Sequence, residues 1–133
     1  TGSAAVTGIL SKVITNNNSD GIFVGGSLTG GASLNVTIVD SEASNNSNVG
    51  VTANSSSGHP AAAVTLRNVV VSNNGAAGLD AEPNAIFRVA HSVFTWNGSV
   101  VGTNGGTIQS YGDNDSDRNT NNNTGVLTPI PTL

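Results

Sequence analysis

The stretch that decides the fold runs from Val64 to Gly75 and reads VTLRNVVVSNNG. Its apolar residues alternate with polar ones, first at Val64 and Leu66 and then at Val69 and Val71. Such alternation is typical of a half-buried β-strand, and the Asn-Asn-Gly that follows is typical of a turn. The stretch therefore predicts a strand that ends in an asparagine-rich turn.

The same pattern recurs along the chain, with an asparagine as its anchor. The equivalent asparagines are Asn17, Asn46, Asn74, Asn97 and Asn119, which are 29, 28, 23 and 22 positions apart. Eight positions before each anchor stand Ile9, Ile38, Leu66, Val89 and Tyr111. Because an apolar column repeats together with the asparagine, the chain consists of five sequence repeats.

A repeat of this length with short β-runs and no helix is one coil of a parallel β-solenoid. Parallel stacking places equivalent residues about 4.8 Å above one another. An asparagine at an inward turn then donates its amide to the asparagine of the next repeat, which satisfies polar groups that burial would leave unpaired. We therefore expect a structural ladder of Asn17, Asn46, Asn74, Asn97 and Asn119.

Composition explains the fold class and excludes several functions. The 133 residues include 19 Asn, 16 Ser, 14 Thr and 17 Gly, together with 16 Val and 7 Ile. Strong helix formers are scarce, which excludes a helical protein. The net charge of −4 offers no basic patch for nucleic acid, and no apolar run is long enough for membrane insertion. With no cysteine, disulfides and thiolate metal sites are excluded.

The repeat of residues 64–75, closed by Gly78-Leu79, resembles the right-handed parallel β-helix repeat of the pectate-lyase-like superfold. The segment 108–119 resembles the end of uncharacterised bacterial proteins that carry these repeats. The resemblance implies an all-β, right-handed parallel β-helix of about five coils over residues 1–127, followed by a C-terminal tail over 128–133. It also implies a C-terminal fragment of a longer solenoid, with self-association through open solenoid ends.

Enzymes of this superfold carry acidic residues, Ca²⁺ ligands and an Arg or Lys base on the outer face of one sheet. The aligned repeats bring one such set together, which makes Asp40, Arg67, Arg88 and His91 the candidate catalytic residues. The competing interpretation, that these are turn and surface residues without a catalytic role, is stronger. Asn, Asp and Ser are favoured at turns, and opposite charges on adjacent repeats form ordinary surface pairs.

Three further features resemble functional sites, but a structural role is favoured for each. Asp113, Asp115 and Asp117 alternate like part of a Ca²⁺ loop, but the glycine and the closing glutamate are missing, so no cofactor is predicted. Asp80 and Glu82 alternate on one strand, which is more often a solvated face than a glycosidase pair. Trp96 is a candidate for stacking on a sugar ring or for covering part of the local core, and the second interpretation is favoured.

The sequence therefore favours a non-enzymatic, exported β-solenoid scaffold or surface module. Its expected partner is a polysaccharide or a protein surface, with no nucleic acid and no membrane insertion. The expected location is bacterial and either secreted, periplasmic or on the cell surface. The alternative is a fragment of a pectate-lyase-like polysaccharide lyase or glycoside hydrolase.

Overall fold

The computed structural model describes residues 4–122 and 127–131, and these contain β-strands and turns but no helix. The strands are β1 (Val6–Ser11), β2 (Ile14–Asn16), β3 (Ile22–Gly25), β4 (Leu34–Ser44), β5 (Val49–Asn54), β6 (Ala62–Ser72), β7 (Ala77–Ala81), β8 (Ala85–Ala90), β9 (Val93–Thr95), β10 (Ser99–Thr103), β11 (Thr107–Ser110), β12 (Asp115–Asp117) and β13 (Leu127–Pro129). The prediction of an all-β protein is confirmed.

The strands form two parallel sheets, which we call sheet A and sheet B. Sheet A has the order β1-β4-β6-β8-β11-β13, with β2, β9 and β12 continuing it beyond a bend. Sheet B has the order β10-β7-β5-β3. Neighbours in each sheet come from successive sequence repeats, as in Leu66, which pairs with Ile38 on one side and with Val89 on the other.

The core lies between the inward faces of the two sheets. In β6 the buried residues include Val64, Leu66, Val69 and Val71. The period of two is broken where Arg67 and Asn68 both face outward. Asn68 has a φ of 55°, so the chain bends there and the inward set shifts by one residue. The bend recurs at Lys12, Asp40 and His91, which also have positive φ. We call this row of bends the first corner.

The second corner contains the asparagine ladder. The Nδ2 amides of Asn46, Asn74 and Asn97 donate to the Oδ1 atom of the next ladder asparagine, at 2.9, 2.8 and 3.0 Å, and the last acceptor is Asn119. These four residues are buried, at 1 to 8% exposure. Each Oδ1 also accepts a backbone N–H from the preceding repeat. The ladder thus satisfies buried polar groups on the main chain as well as on the side chains.

In the first repeat the ladder position belongs to Asn18, so the prediction of Asn17 was wrong. The Asn18 N–H donates to Asn46 Oδ1 at 3.2 Å, whereas the exposed Asn17 donates to the neighbouring Asn16 Oδ1. The pairing of Ile14 with Glu42 fixes the offset at 28 residues, not 29. Asn17 occupies the left-handed position just before the ladder, with a φ of 58°. Asparagine is common there because it tolerates this conformation.

The two ends of the stack differ. At one end, β1 and β3 are edge strands, and Ile9, Ile14 and Phe23 are 61 to 75% exposed. At the other end, β13 pairs with β11 in parallel register, and the Ile130 N–H donates to Ser110 O. The predicted boundary between residues 127 and 128 therefore falls inside a strand. Residues 132–133 of the predicted tail lie outside the described part of the chain. The stacked parallel sheets and the asparagine hydrogen bonds are compatible with a β-helix.

Candidate functional site

The four predicted catalytic residues lie on the outer side of sheet A, but they do not converge on one point. Asp40 is exposed at the first corner, where its Oδ1 accepts a hydrogen bond of 2.6 Å from Asn68 Nδ2. It lines a shallow hollow of about 360 Å³ with Lys12 and Glu42. Arg67 pairs with the residue before Asp40, but it lines a different hollow.

Arg67 and His91 share a second hollow, of about 300 Å³, with Tyr111 and Asp113. The His91 Nδ1 atom lies 3.1 Å from Asp113 Oδ2, and the His91 N–H donates to Asp113 Oδ1 at 3.0 Å. The imidazole is about half exposed, so this pair is an ordinary surface contact between adjacent repeats. Arg88 pairs in register with Thr65 and Gln109 and does not line this hollow.

The other sites that the sequence raised on sheet A are also weak. Trp96 is 57% exposed, but the Arg118 guanidinium lies 5.5 Å from the centroid of its ring. Asp113 pairs with His91, while Asp117 Oδ1 accepts a hydrogen bond of 2.8 Å from Thr95 Oγ1. Within residues 4–122 and 127–131, no three His, Cys, Asp or Glu side chains come together in a way that could hold a metal ion.

The outer face of sheet B brings together a different set of residues. Leu79 and Ala81 of β7 point into the core, so Asp80 between them faces outward. Register places Asp80 beside Thr52 of β5 and beside Gly102 of β10, and it places Phe23 of β3 beyond Thr52. Phe23 is 61% exposed. One row across the sheet therefore carries an aromatic ring, a hydroxyl and a carboxylate.

A second row lies beside the first and carries amides around a carboxylate. The Asn54 Nδ2 amide donates to Glu82 Oε2 at 2.8 Å. The Asn104 Nδ2 amide lies 3.2 Å from both carboxylate oxygens of Asp80. We call Phe23, Asn54, Asp80, Glu82 and Asn104 the sheet B face. Its polar side chains are fixed by contacts between repeats, and it offers carboxylate oxygens and amides for hydrogen bonds.

Electrostatics distinguish Asp80 from the other carboxylates of this face. Partial burial, and secondly the nearby charge of Glu82, raise the pKa of Asp80 above its usual value, although the hydrogen bond from Asn104 acts in the opposite direction. Gly102 leaves room for this arrangement, because a Cβ at residue 102 would lie only 2.9 Å from Asp80 Oδ1. The neighbouring glycine and the amide thus position a carboxyl group that ionises reluctantly.

Sequence reasoning noticed Asp80 and Glu82 but missed the residues around them. Their partners Asn54 and Asn104 lie 28 and 24 positions away along the chain and become neighbours only through sheet register. The available signal was the glycine that follows each ladder asparagine. Extending the alignment four residues beyond Gly50 and Gly78 places Asn54 over Glu82.

Two further findings concern the whole chain. No helix within the described residues has the length and apolar character needed to cross a membrane. No protein-family model, curated protein or solved structure matches this chain.

Proposed function

We propose that this chain is a right-handed parallel β-helix of about five coils that serves as a non-enzymatic, exported bacterial surface module and binds a neutral glycan through the sheet B face. The observation that carries the proposal is the exposed Phe23 ring in line with a fixed array of carboxylates and amides. Sugar rings offer an apolar side that packs on an aromatic ring and hydroxyls that pair with carboxylates and amides.

The dimensions of the face suit a linear polymer. Four parallel strands span about 14 Å across the sheet, with equivalent side chains about 4.8 Å apart. Every polar group of the face is held by an interstrand contact, so little side-chain entropy is lost when a ligand binds. A short stretch of an extended polysaccharide therefore fits across the sheet B face, from Phe23 on one edge strand to Asn104 at the other edge.

The charge of the face favours a neutral glycan over an acidic one. Asp80 lies on the outer face of β7 and Glu82 follows just after that strand, and the described strands of sheet B contain no Lys or Arg. Like charges across an interface cost binding energy, so the carboxylates of a uronan would be repelled. The expected neutral ligand thus differs from the acidic pectic substrates of many enzymes whose repeat this chain resembles.

The test is affinity electrophoresis of the whole chain through gels that contain β-glucan, xylan or starch, with polygalacturonate as the charged comparator. We expect retardation by a neutral polysaccharide and none by polygalacturonate. Phe23→Ala should weaken binding about tenfold or more, which corresponds to roughly 1.4 kcal/mol. Trp96→Ala is the matched control, because it removes a similarly exposed aromatic from the turn after β9 and should leave binding unchanged. Retardation by polygalacturonate alone, or a loss of binding only in Trp96→Ala, would contradict the proposal.

A second candidate function, glycoside hydrolysis, is favoured by one observation, the raised pKa of Asp80 beside Glu82. Glycosidases use two carboxyl groups, one of them protonated to act as the general acid. The same polysaccharides should be assayed for new reducing ends, with and without Ca²⁺. If the chain is a hydrolase, Asp80→Asn abolishes product formation while retardation in the gel persists. If it only binds, no reducing ends appear in any variant.

A further inference from the structure

The chain contains the dipeptide Asn-Gly three times, at Asn74-Gly75, Asn97-Gly98 and Asn104-Gly105. An asparagine side chain can cyclise when the backbone nitrogen of the next residue attacks its Cγ atom. Glycine favours this attack because it has no Cβ to obstruct the approach and is conformationally free. The three sites are chemically identical as dipeptides, so any difference between them comes from the fold.

Two of the three sites lie inside the ladder. Asn74 and Asn97 are each 1% exposed, and the Oδ1 atom of each accepts hydrogen bonds from a side chain and from a backbone amide. The attacking nitrogens are engaged as well, because Gly75 N–H donates to Asn46 O and Gly98 N–H donates to Asn74 O. Cyclisation at either site therefore requires the ladder to open first.

Asn104 lies in a different environment, in the exposed turn between β10 and β11. Gly105 has a φ of 101°, in the region that favours glycine, and it is exposed. The Asn104 Nδ2 atom, which would depart as ammonia, lies 3.2 Å from both Asp80 carboxylate oxygens. The side chain is thus exposed and has a carboxylate beside its leaving atom.

We propose that Asn104 is a site of spontaneous deamidation and that the ladder protects Asn74 and Asn97 from the same reaction. The Gly105 nitrogen loses its proton and bonds to Asn104 Cγ, while the Cγ–Nδ2 bond breaks and the nitrogen leaves as ammonia. Water then opens the cyclic imide at either carbonyl carbon. The product is aspartate or isoaspartate at residue 104.

The modification changes the sheet B face. It replaces the amide that donates to Asp80 with a third carboxylate beside Asp80 and Glu82. The added charge and the lost donor both disfavour ionisation of Asp80. The reaction is thus an irreversible chemical switch that makes this face more acidic as the protein ages. It depends on the position of Asn104 and stands whether or not the face binds a glycan.

The test is to incubate the folded chain at mildly alkaline pH and to follow each site by tryptic mass spectrometry. Cleavage after Arg67, Arg88 and Arg118 places Asn74 in one peptide and Asn97 with Asn104 in another, where fragment ions separate them. We expect the mass change from amide to acid at Asn104 at least about tenfold faster than at Asn74 or Asn97, because those sites must first unfold locally. Asn104→Gln should abolish the change in that time window.

The control is the same incubation in denaturant, where all three sites should react at similar rates. Equal rates at the three sites in the folded chain would overturn the proposal. So would an unmodified Asn104 in folded chain that reacts readily once denatured.

Discussion

The outer surfaces of the two sheets differ in how they carry charge. All four basic side chains, Lys12, Arg67, Arg88 and Arg118, belong to strands of sheet A or to the turns that follow them. There acidic groups lie near basic ones, as where Arg118 Nε lies 3.6 Å from Asp117 Oδ2. Sheet B instead places Asp80 and Glu82 side by side with only amide partners.

This difference indicates which surface to examine for function. Mixed charges on sheet A compensate one another and are what a solvated repeat surface needs. Two like charges two residues apart, one of them partly buried, cost stability and are not required by the fold. Residues that destabilise the fold are expected at functional sites. The outer face of sheet B is therefore the stronger candidate for a functional surface.

The largest effect on stability is expected at the ladder, which lies at the corner between sheet A and sheet B. Asn74→Ala leaves the Asn46 N–H without its acceptor, removes one of the two acceptors of the Asn46 side-chain amide and removes the donor to Ala43 O. Each buried group left unpaired costs about 1–3 kcal/mol, so we expect a loss of about 3 kcal/mol or more in the free energy of unfolding. Urea titration monitored by circular dichroism would measure it.

The matched control is Asn73→Gly, one residue earlier. Asn73 is exposed with a φ of 55°, a conformation that glycine adopts freely. Its change in stability should stay within about 1 kcal/mol. Equal losses for the two variants would show that the composition of the turn, and not the ladder, stabilises this corner.

A smaller loss of stability is expected at Gly50, near the start of β5 in sheet B. A Cβ at Gly50 would lie 2.6 Å from Val71 Cγ1 and 2.7 Å from Gly78 O, so Gly50→Ala forces the corner apart. Overpacking of this kind costs about 1–3 kcal/mol. Gly30→Ala, where nothing lies within 4 Å of the added carbon, is the control and should change the melting temperature little. A harmless Gly50→Ala would mean that the two sheets approach less closely at this corner.

The smallest effect is the pH dependence that Asp80 of sheet B gives to the stability of the chain. Because the pKa of Asp80 is raised on folding, its contribution to stability is greatest at acid pH and falls as pH rises through the folded pKa. Asp80→Asn should therefore stabilise the chain at neutral pH, by less than about 1 kcal/mol because the group stays partly solvated. The gain should vanish at acid pH. A gain of the same size at acid pH would contradict this origin of the effect.

Much of the fold could be predicted because the repeats impose one register on many residues. The second to fourth repeats align correctly, since a ladder asparagine and an apolar column agree there. The first repeat fails because three consecutive asparagines, residues 16–18, offer three possible anchors. The last repeat carries an extra residue between Ser110 and Asn114, which pair with Val89 and Ser92 respectively.

The candidate site could not be predicted in the same way. The catalytic set on sheet A was chosen from aligned columns and charge type, but Asp40 lines one hollow while Arg67 and His91 line another. The sheet B face depends on contacts between repeats of unequal length, such as Asn104 with Asp80. The exposure of Phe23 and the close approach of Gly102 to Asp80 follow from the stacking of the strands and cannot be read from the sequence.

The most direct test of the central claim is to map a bound glycan by nuclear magnetic resonance. The ¹⁵N-labelled chain would be titrated with soluble neutral oligosaccharides of glucose and xylose, and with oligogalacturonate for comparison. We predict shifts in the amides of Phe23, Asn54, Asp80, Glu82 and Asn104 with a neutral sugar only. Shifts confined to the hollow of Arg67, His91 and Tyr111, or no shifts with any neutral sugar, would contradict the assignment of function to sheet B.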